Sequence, residues 1–223
     1  MIILKFNKDE THTVYTNIDG NEVPSATTIL KILNKPSLIR WANYLGFNRQ
    51  NVESVLTDYA DRGTLVHSLI SAYLNGSLII YIDDGKIPIS MILQFFKVFK
   101  EWYKKHDIEM IFSEKSFSSD LFGGTIDFYG KIDGQYTLLD FKTAKKIRLS
   151  MFLQLALYCI LLEEKNYKID RVGILLVNPD NKDEKYLSRE EMEPYIQFMK
   201  KLVPLFHLYY ELNEKDKWNE EII

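Results

Sequence analysis

Two carboxylates and a lysine, Asp127, Asp140 and Lys142, stand on either side of an Asp133-Gly134 dipeptide in the stretch GGTIDFYGKIDGQYTLLDFK, residues 123–142. Asp-Gly between runs of apolar and β-branched residues is the strongest short-range signal for a two-residue hairpin turn. With Asp133 and Gly134 as the turn, Ile132 faces Gln135, and counting outward sets Asp127 opposite Asp140 and Thr125 opposite Lys142. Strand side chains alternate, so Asp140 and Lys142 share one face while Leu139 and Phe141 take the other. Directly opposed residues have Cβ atoms roughly 4.5–5.5 Å apart, where like charges repel. Two readings meet that repulsion. A divalent cation, Mg²⁺ or Mn²⁺, lodged between the carboxylates would cancel it, and Lys142 would then face whatever anion the metal binds. In the other reading both acids lie on a solvated face, far enough apart to coexist.

The elements around this hairpin are legible in outline. Ile2–Phe6 and Val14–Thr16 predict short strands, with Asp19-Gly20 as a turn before Asn21–Val23. Ser25 is placed to cap a helix over Ala26–Leu33, and Pro36-Ser37 opens another with Leu38, Trp41, Ala42 and Leu45 at helical spacing. A third helix runs from Val52 to Asn75, on which Gly63, His67 and Ser71 share a face. A lone helical histidine is more often a structural residue than a metal ligand, and that is the first reading of His67. After a loop or β excursion over Gly76–Gly85, Pro88 to about His106 predicts a long helix. Ile108–Phe112 with Glu114–Phe117 predicts a strand leading into the hairpin, and Thr143–Arg148 a loop holding Lys145, Lys146 and Arg148 beside the carboxylates. A helix over Met151–Glu163 sets Gln154 and Tyr158 one turn apart, suited to a buried hydrogen bond. Arg171–Val177 reads as a buried strand, Tyr186-Leu187 as a short edge strand, and Arg189–Leu212 as a helix bent at Pro194 or Pro204.

The 223 residues, 46% of them hydrophobic and 13% aromatic, suit one globular domain with a real core. The expected organisation is an N-terminal β element and helices to about residue 106, a central α/β core over 107–212, and a charged, frayed tail from 213. A net charge of −3 confines any nucleic-acid contact to a local groove. Lys31, Lys35, Arg40 and Arg49, taken singly, read as a solvated face. The single cysteine, Cys159, excludes an internal disulfide, a four-cysteine zinc site and an iron–sulfur cluster, and falls in an apolar helical run as a buried thiol. The MIILKF start is too short for a signal peptide and no run reaches membrane-span length, so the expectation is a cytoplasmic protein that makes no membrane contact. No G-x-S-x-G turn and no P-loop is present, and His12, His106 and His207 have no visible catalytic partner, which disfavours a serine hydrolase and excludes an ATPase.

Three segments in order, Gly124-Thr125-Ile126-Asp127, Leu139-Asp140-Phe141-Lys142-Thr143 and Gln154-Leu155-Ala156-Leu157-Tyr158, resemble the signature motifs of the PD-(D/E)xK nuclease superfamily. The chain is most similar to the RecB-like exonuclease branch that includes phage and mitochondrial exonucleases. Arg62-Gly63-Thr64-x-x-His67 resembles the helical histidine motif of that branch, and Ser25–Leu30 the helix that opens many phage-type members. The likeness spans about residues 24–160. It implies a restriction-endonuclease-like α/β core, a central mixed sheet flanked by helices, with a helical N-terminal part.

The resemblance further implies that His67, Asp127 and Asp140 ligate Mg²⁺ or Mn²⁺ together with the carbonyl of Phe141. Glu114 would act directly or through water, Lys142 would be the catalytic lysine, and Gln154 and Tyr158 would contact DNA or brace the site. Arg62 and Thr143 fall inside the motifs and join Lys145, Lys146 and Arg148 as DNA-binding candidates. Ile126 stands where the superfamily has its proline, and the cysteines of the cluster-bearing members are missing, so a member without an iron–sulfur cluster is implied. The expected activity is metal-dependent hydrolysis of phosphodiester bonds from DNA ends in replication, recombination or repair. The rival is a catalytically silent nucleic-acid-binding or recombination-accessory protein with the same fold.

Overall fold

The computed structural model describes residues 3–4, 13–33, 35–77, 80–81 and 87–216. The expected strand at 2–6, the excursion at 76–85 and the tail at 213–223 therefore lie partly outside the described residues. Within them, Ile3–Leu4 (β1) pairs in parallel with Ile80–Tyr81 (β4), and Tyr15–Thr16 (β2) pairs antiparallel with Glu22–Val23 (β3). The β2–β3 turn is tied by Asn17 Oδ1, which accepts from the amides of Asp19 and Asn21. Ser25 caps α1 (Ala26–Ile29) by accepting from Thr28 N at 3.0 Å, and a 3-10 turn over Leu30–Ile32 replaces the remainder of the expected helix.

Pro36 opens α2 (Pro36–Phe47), and Asn51 caps α3 (Val52–Leu74) through the Ser54 amide. α4 covers Ile89–Tyr103. The main sheet has five strands in sequence order, β5 (Ile108–Ser118), β6 (Gly123–Ile132), β7 (Gln135–Lys142), β8 (Arg171–Asn178) and β9 (Asn181–Ser188). All neighbours are antiparallel except β7 and β8, which run parallel and are joined over one face by α5 (Leu149–Glu164). α6 (Glu193–Asp216) closes the described chain. This is a mixed α/β fold with a central mixed sheet flanked by helices, as the resemblance implied.

Over the central strands β6, β7 and β8 each sheet face is apolar and covered. Leu138, Val172, Ile174 and Leu176 meet α5 and α6, while Phe128, Leu139, Phe141 and Leu175 meet Val66, Leu69 and Ile70 of α3 and Phe96 and Phe99 of α4. The alternation Leu138/Leu139 across the two cores is the pleat expected of β7. α5 is apolar on all sides because it is buried between the sheet, α1 and α6, and Cys159 is fully buried within it.

Several boundaries differ from expectation. β9 extends over eight residues rather than two, because its Asn181–Lys185 half is an exposed edge that needs no apolar face. α6 begins at Glu193, so Pro194 sits in its first turn, where it is tolerated, and only Pro204 is interior. The apolar stripe expected on α2 is only partly buried: Leu45 is covered, Trp41 and Ala42 are half-buried and Leu38 is exposed, while Ile39, Tyr44 and Phe47 outside the stripe are exposed as well. No helix among the described residues is long and apolar enough to cross a membrane.

Candidate metal centre and active site

The hairpin turn is as the sequence dictates. Asp133 and Gly134 both take positive φ, 53° and 80°, and Ile132 pairs with Gln135. The ladder runs outward only as far as Phe128 and Leu139. One residue beyond, where Asp127 and Asp140 would pair, the strands stop exchanging backbone hydrogen bonds, and Asp127 Oδ2 instead accepts the Phe141 amide at 2.8 Å. The expected direct pairing of Asp127 with Asp140, and of Thr125 with Lys142, is therefore not made.

The cause is local to β6. Ile126 packs with the α5 core and Phe128 with the α3 core, although two residues apart on a regular strand share a face. The strand turns over at Asp127 and delivers its carboxylate toward α3. There Asp127 Oδ2 lies 3.4 Å from His67 Nδ1, and Glu114 Oε1 lies 3.5 Å from the same nitrogen. Glu114 comes from the matching break on β5. Ser113 pairs with Phe128 and Lys115 with Ile126, but Glu114, opposite Asp127 by count, adopts φ 49°. A left-handed conformation costs a non-glycine residue about 1–2 kcal/mol, and such outliers persist where the surroundings hold them. Ser113 Oγ secures the turned-over strand by donating to Asp127 O at 2.8 Å.

His67, Glu114 and Asp127 thus offer one nitrogen and two oxygens within 4.8 Å of one another. Asp140 stands with a different group. Lys142 Nζ donates to Asp140 Oδ1 at 2.9 Å and to Gln154 Oε1 at 3.0 Å, and Gln154 Nε2 donates to Tyr158 OH at 2.7 Å. Oδ2 of Asp140 also lies 2.8 Å from Lys142 Nζ, so the ammonium sits against both carboxylate oxygens. The Phe141 amide to Asp127 links the two groups across the sheet, and the Phe141 ring meets the His67 ring edge-on. The grouping differs from the implied set of His67, Asp127 and Asp140. Glu114 stands 3.5 Å from His67, close enough for the direct role, and Phe141 engages Asp127 through its N–H.

The electrostatics follow the geometry. Burial alone would depress the His67 pKa, but Asp127 and then Glu114 outweigh it and raise it to about 10. Burial works to raise Asp127, yet the charge of His67 and its hydrogen bond hold it below the usual carboxylate range. For Asp140 burial wins over Lys142, and its pKa rises to about 6. Burial disfavours the Lys142 ammonium, and Asp140 more than compensates, so its pKa is raised. The Tyr158 hydroxyl is pushed well above its usual value by burial and by Asp140.

The supporting positions are explained by close approach. A Cβ on Gly124 would lie 2.6 Å from Tyr158 Cε1, so the Tyr158 ring needs glycine on the facing strand. Thr125 Oγ1 bonds Tyr15 OH at 2.9 Å and Ser116 Oγ at 2.8 Å, and so it braces the strand end rather than facing Lys142. Lys145, Lys146 and Arg148 are exposed and make no ion pair among the described residues. His106 and His207, without visible partners in sequence, bond Asp133 and the Leu121 carbonyl away from the site. Ser113 and Tyr15 were missed because single hydroxyls carry no sequence signal.

No family model matches this chain, and no curated protein does. Among solved structures, the crystal structure of SSO0001 is similar at a TM-score of 0.30 and 12% identity, over 54% of this chain and 63% of that one. The chain therefore matches less than two thirds of that protein, and a likeness of this size says nothing about activity.

Proposed function

We propose that this protein is a Mg²⁺- or Mn²⁺-dependent deoxyribonuclease of the PD-(D/E)xK type, acting on DNA ends. The observation that carries the reading is the convergence of His67, Glu114 and Asp127, from α3, β5 and β6, on one point beside the Asp140–Lys142–Gln154 chain. The donor set suits such a cation: oxygen-rich, with one imidazole, and with a further buried carboxylate, Asp140, beside it and paired with Lys142. His67, Glu114 and Asp127 would hold the ion, with Asp140 as the remaining buried carboxylate. When bound, a divalent cation polarises the phosphate and lowers the pKa of water.

The protein's own groups divide the rest of the work. Lys142, with its raised pKa, stays protonated at neutral pH. It therefore orients the attacking water and offsets negative charge developing on the phosphate, rather than taking the water's proton. Gln154 aims its carbonyl at Lys142 because Tyr158 fixes the other end of the amide. Lys145, Lys146 and Arg148 are free to meet the phosphate backbone that a chain of net charge −3 would otherwise repel.

The test is digestion of end-labelled linear DNA and covalently closed circles in Mg²⁺, Mn²⁺ and EDTA. Metal-dependent loss of the linear DNA alone is expected, with no cleavage by Asp140→Ala. Cleavage by Asp140→Ala would remove the assignment of the site, and cutting of closed circles would remove the end-dependence.

A further inference from the structure

Tyr59, Gly63, His67 and Ser71 of α3 and its C-cap Asn75 recur at four-residue intervals and form one ridge. From Gly63 to Asn75 this ridge walls an open groove of about 670 Å³ that also contains Glu114. Tyr59 and Arg62 stand at the Gly63 end. Tyr59 is 46% exposed; its ring leans on Trp41 of α2 at 6.3 Å between centroids and has the Arg62 guanidinium 4.7 Å from its centre. Arg62 also lies 5.2 Å from the ring of Phe95 on α4, so two aromatic rings hold it. Its Nε is buried without a hydrogen-bond partner, and its side chain makes no ion pair among the described residues.

The side chain as a whole is half-buried, and no described residue supplies it with an anion. A planar fork of N–H donors suits a phosphate. The surroundings favour a polyanion with stackable faces. Residues 24–52 carry Lys31, Lys35, Arg40 and Arg49 and no acid, and α2 exposes Tyr44 and Phe47 at 64% and 90%. Thr143 Oγ1 lies 3.9 Å from where a Cβ on Gly63 would be, so the loop bearing Lys145, Lys146 and Arg148 starts at the same end of the groove. Glu53, Asp58 and Asp61 on the first half of α3 temper this positive charge, so contact with bases must supplement it.

We infer that Tyr59 and Arg62 form a nucleotide-binding pair at the mouth of the groove, with one base of a single DNA strand stacked on Tyr59 and its phosphate on Arg62. The strand then runs along α3 to His67, about 12 Å further at 1.5 Å per residue. Bases in a duplex are already stacked on one another, so the pair selects single strands. This inference rests on the reading of the groove as a DNA site.

The experiment is fluorescence anisotropy with a labelled single-stranded oligonucleotide and its duplex, in EDTA so that nothing is cleaved, over a range of salt. The wild type should prefer the single strand. Tyr59→Ala and Tyr59→Leu should each weaken single-strand binding by about 5- to 100-fold and duplex binding far less, with Tyr59→Phe close to wild type. Tyr59→Leu keeps apolar bulk against Trp41, so it separates stacking from folding, and melting curves check each variant. Arg62→Ala should reduce the salt dependence of single-strand binding by about 0.7 in logarithmic slope, which the Tyr59 variants leave unchanged. Equal binding by wild type and Tyr59→Leu, or equal losses on duplex and single strand, overturns the inference. If this pattern holds but no metal supports cleavage, the nuclease reading fails alone; if cleavage occurs and Tyr59 is indifferent, the inference fails alone.

Discussion

A metal-ligating imidazole is neutral, so Mn²⁺ can bind His67 only as that residue gives up its proton. The proton is held firmly, because Asp127 at 3.4 Å and Glu114 at 3.5 Å outweigh burial and raise the His67 pKa to about 10. At pH 7.5 the imidazole is about 2.5 units below that value, and at roughly 1.4 kcal/mol per unit its deprotonation costs about 3.4 kcal/mol, or roughly 300-fold in affinity. The sign is fixed: raising the pH lowers that cost. Between pH 7 and 8.5 Mn²⁺ binding should tighten about tenfold per unit, and each ion should expel close to one proton. Asp140, raised only to about 6, is mostly ionised over that range and contributes little. Isothermal titration calorimetry in Tris and in HEPES, which differ in ionisation enthalpy, counts the protons directly. A dissociation constant flat with pH, with no proton released, would refute the reasoning and place His67 outside the ligand set as a permanent imidazolium pairing the two acids.

Two substitutions probe how the site is held. Glu114→Gly removes the strain of a left-handed glutamate, about 1–2 kcal/mol, less the extra chain entropy of glycine, about 0.5–1 kcal/mol. Glu114→Gly also removes the carboxylate that pairs with His67, which offsets this gain, so the metal-free protein should melt close to wild type while Mn²⁺ binds more weakly, and unchanged Mn²⁺ affinity would take Glu114 out of the ligand set. Gly124→Ala places a methyl 2.6 Å from the Tyr158 ring, so it should destabilise by about 1–3 kcal/mol in urea. It should cut cleavage more than Mn²⁺ binding, because the displaced Tyr158 releases Gln154 and Lys142 but not His67; unchanged stability and activity would contradict the packing described.

The hairpin turn was legible because everything that specifies it is local: Asp133 and Gly134 accept positive φ, and the register next to them follows by counting. The same counting failed six residues out, at Asp127. There β6 turns over, with Ile126 in one core and Phe128 in the other, and at the same level on β5 the left-handed Glu114 drops out of the β5–β6 pairing. Nothing in Ser113-Glu114-Lys115 signals a positive φ, since glutamate has no preference for it. The polar β9 edge escaped notice for a related reason, as Asn181–Lys185 shows no apolar alternation, although Pro179-Asp180 between Asn178 and Asn181 is a turn signal.

Counted across the sheet, Glu114, Asp127 and Asp140 fall in one row over β5, β6 and β7. Three carboxylates at one level cannot remain in a regular ladder, and the fold disperses them. Glu114 and Asp127 turn to His67 on one side, and Asp140 turns to Lys142 on the other. The two cations, His67 and Lys142, offset two of the three negative charges and leave the centre with a net negative charge, which favours the entry of a divalent cation.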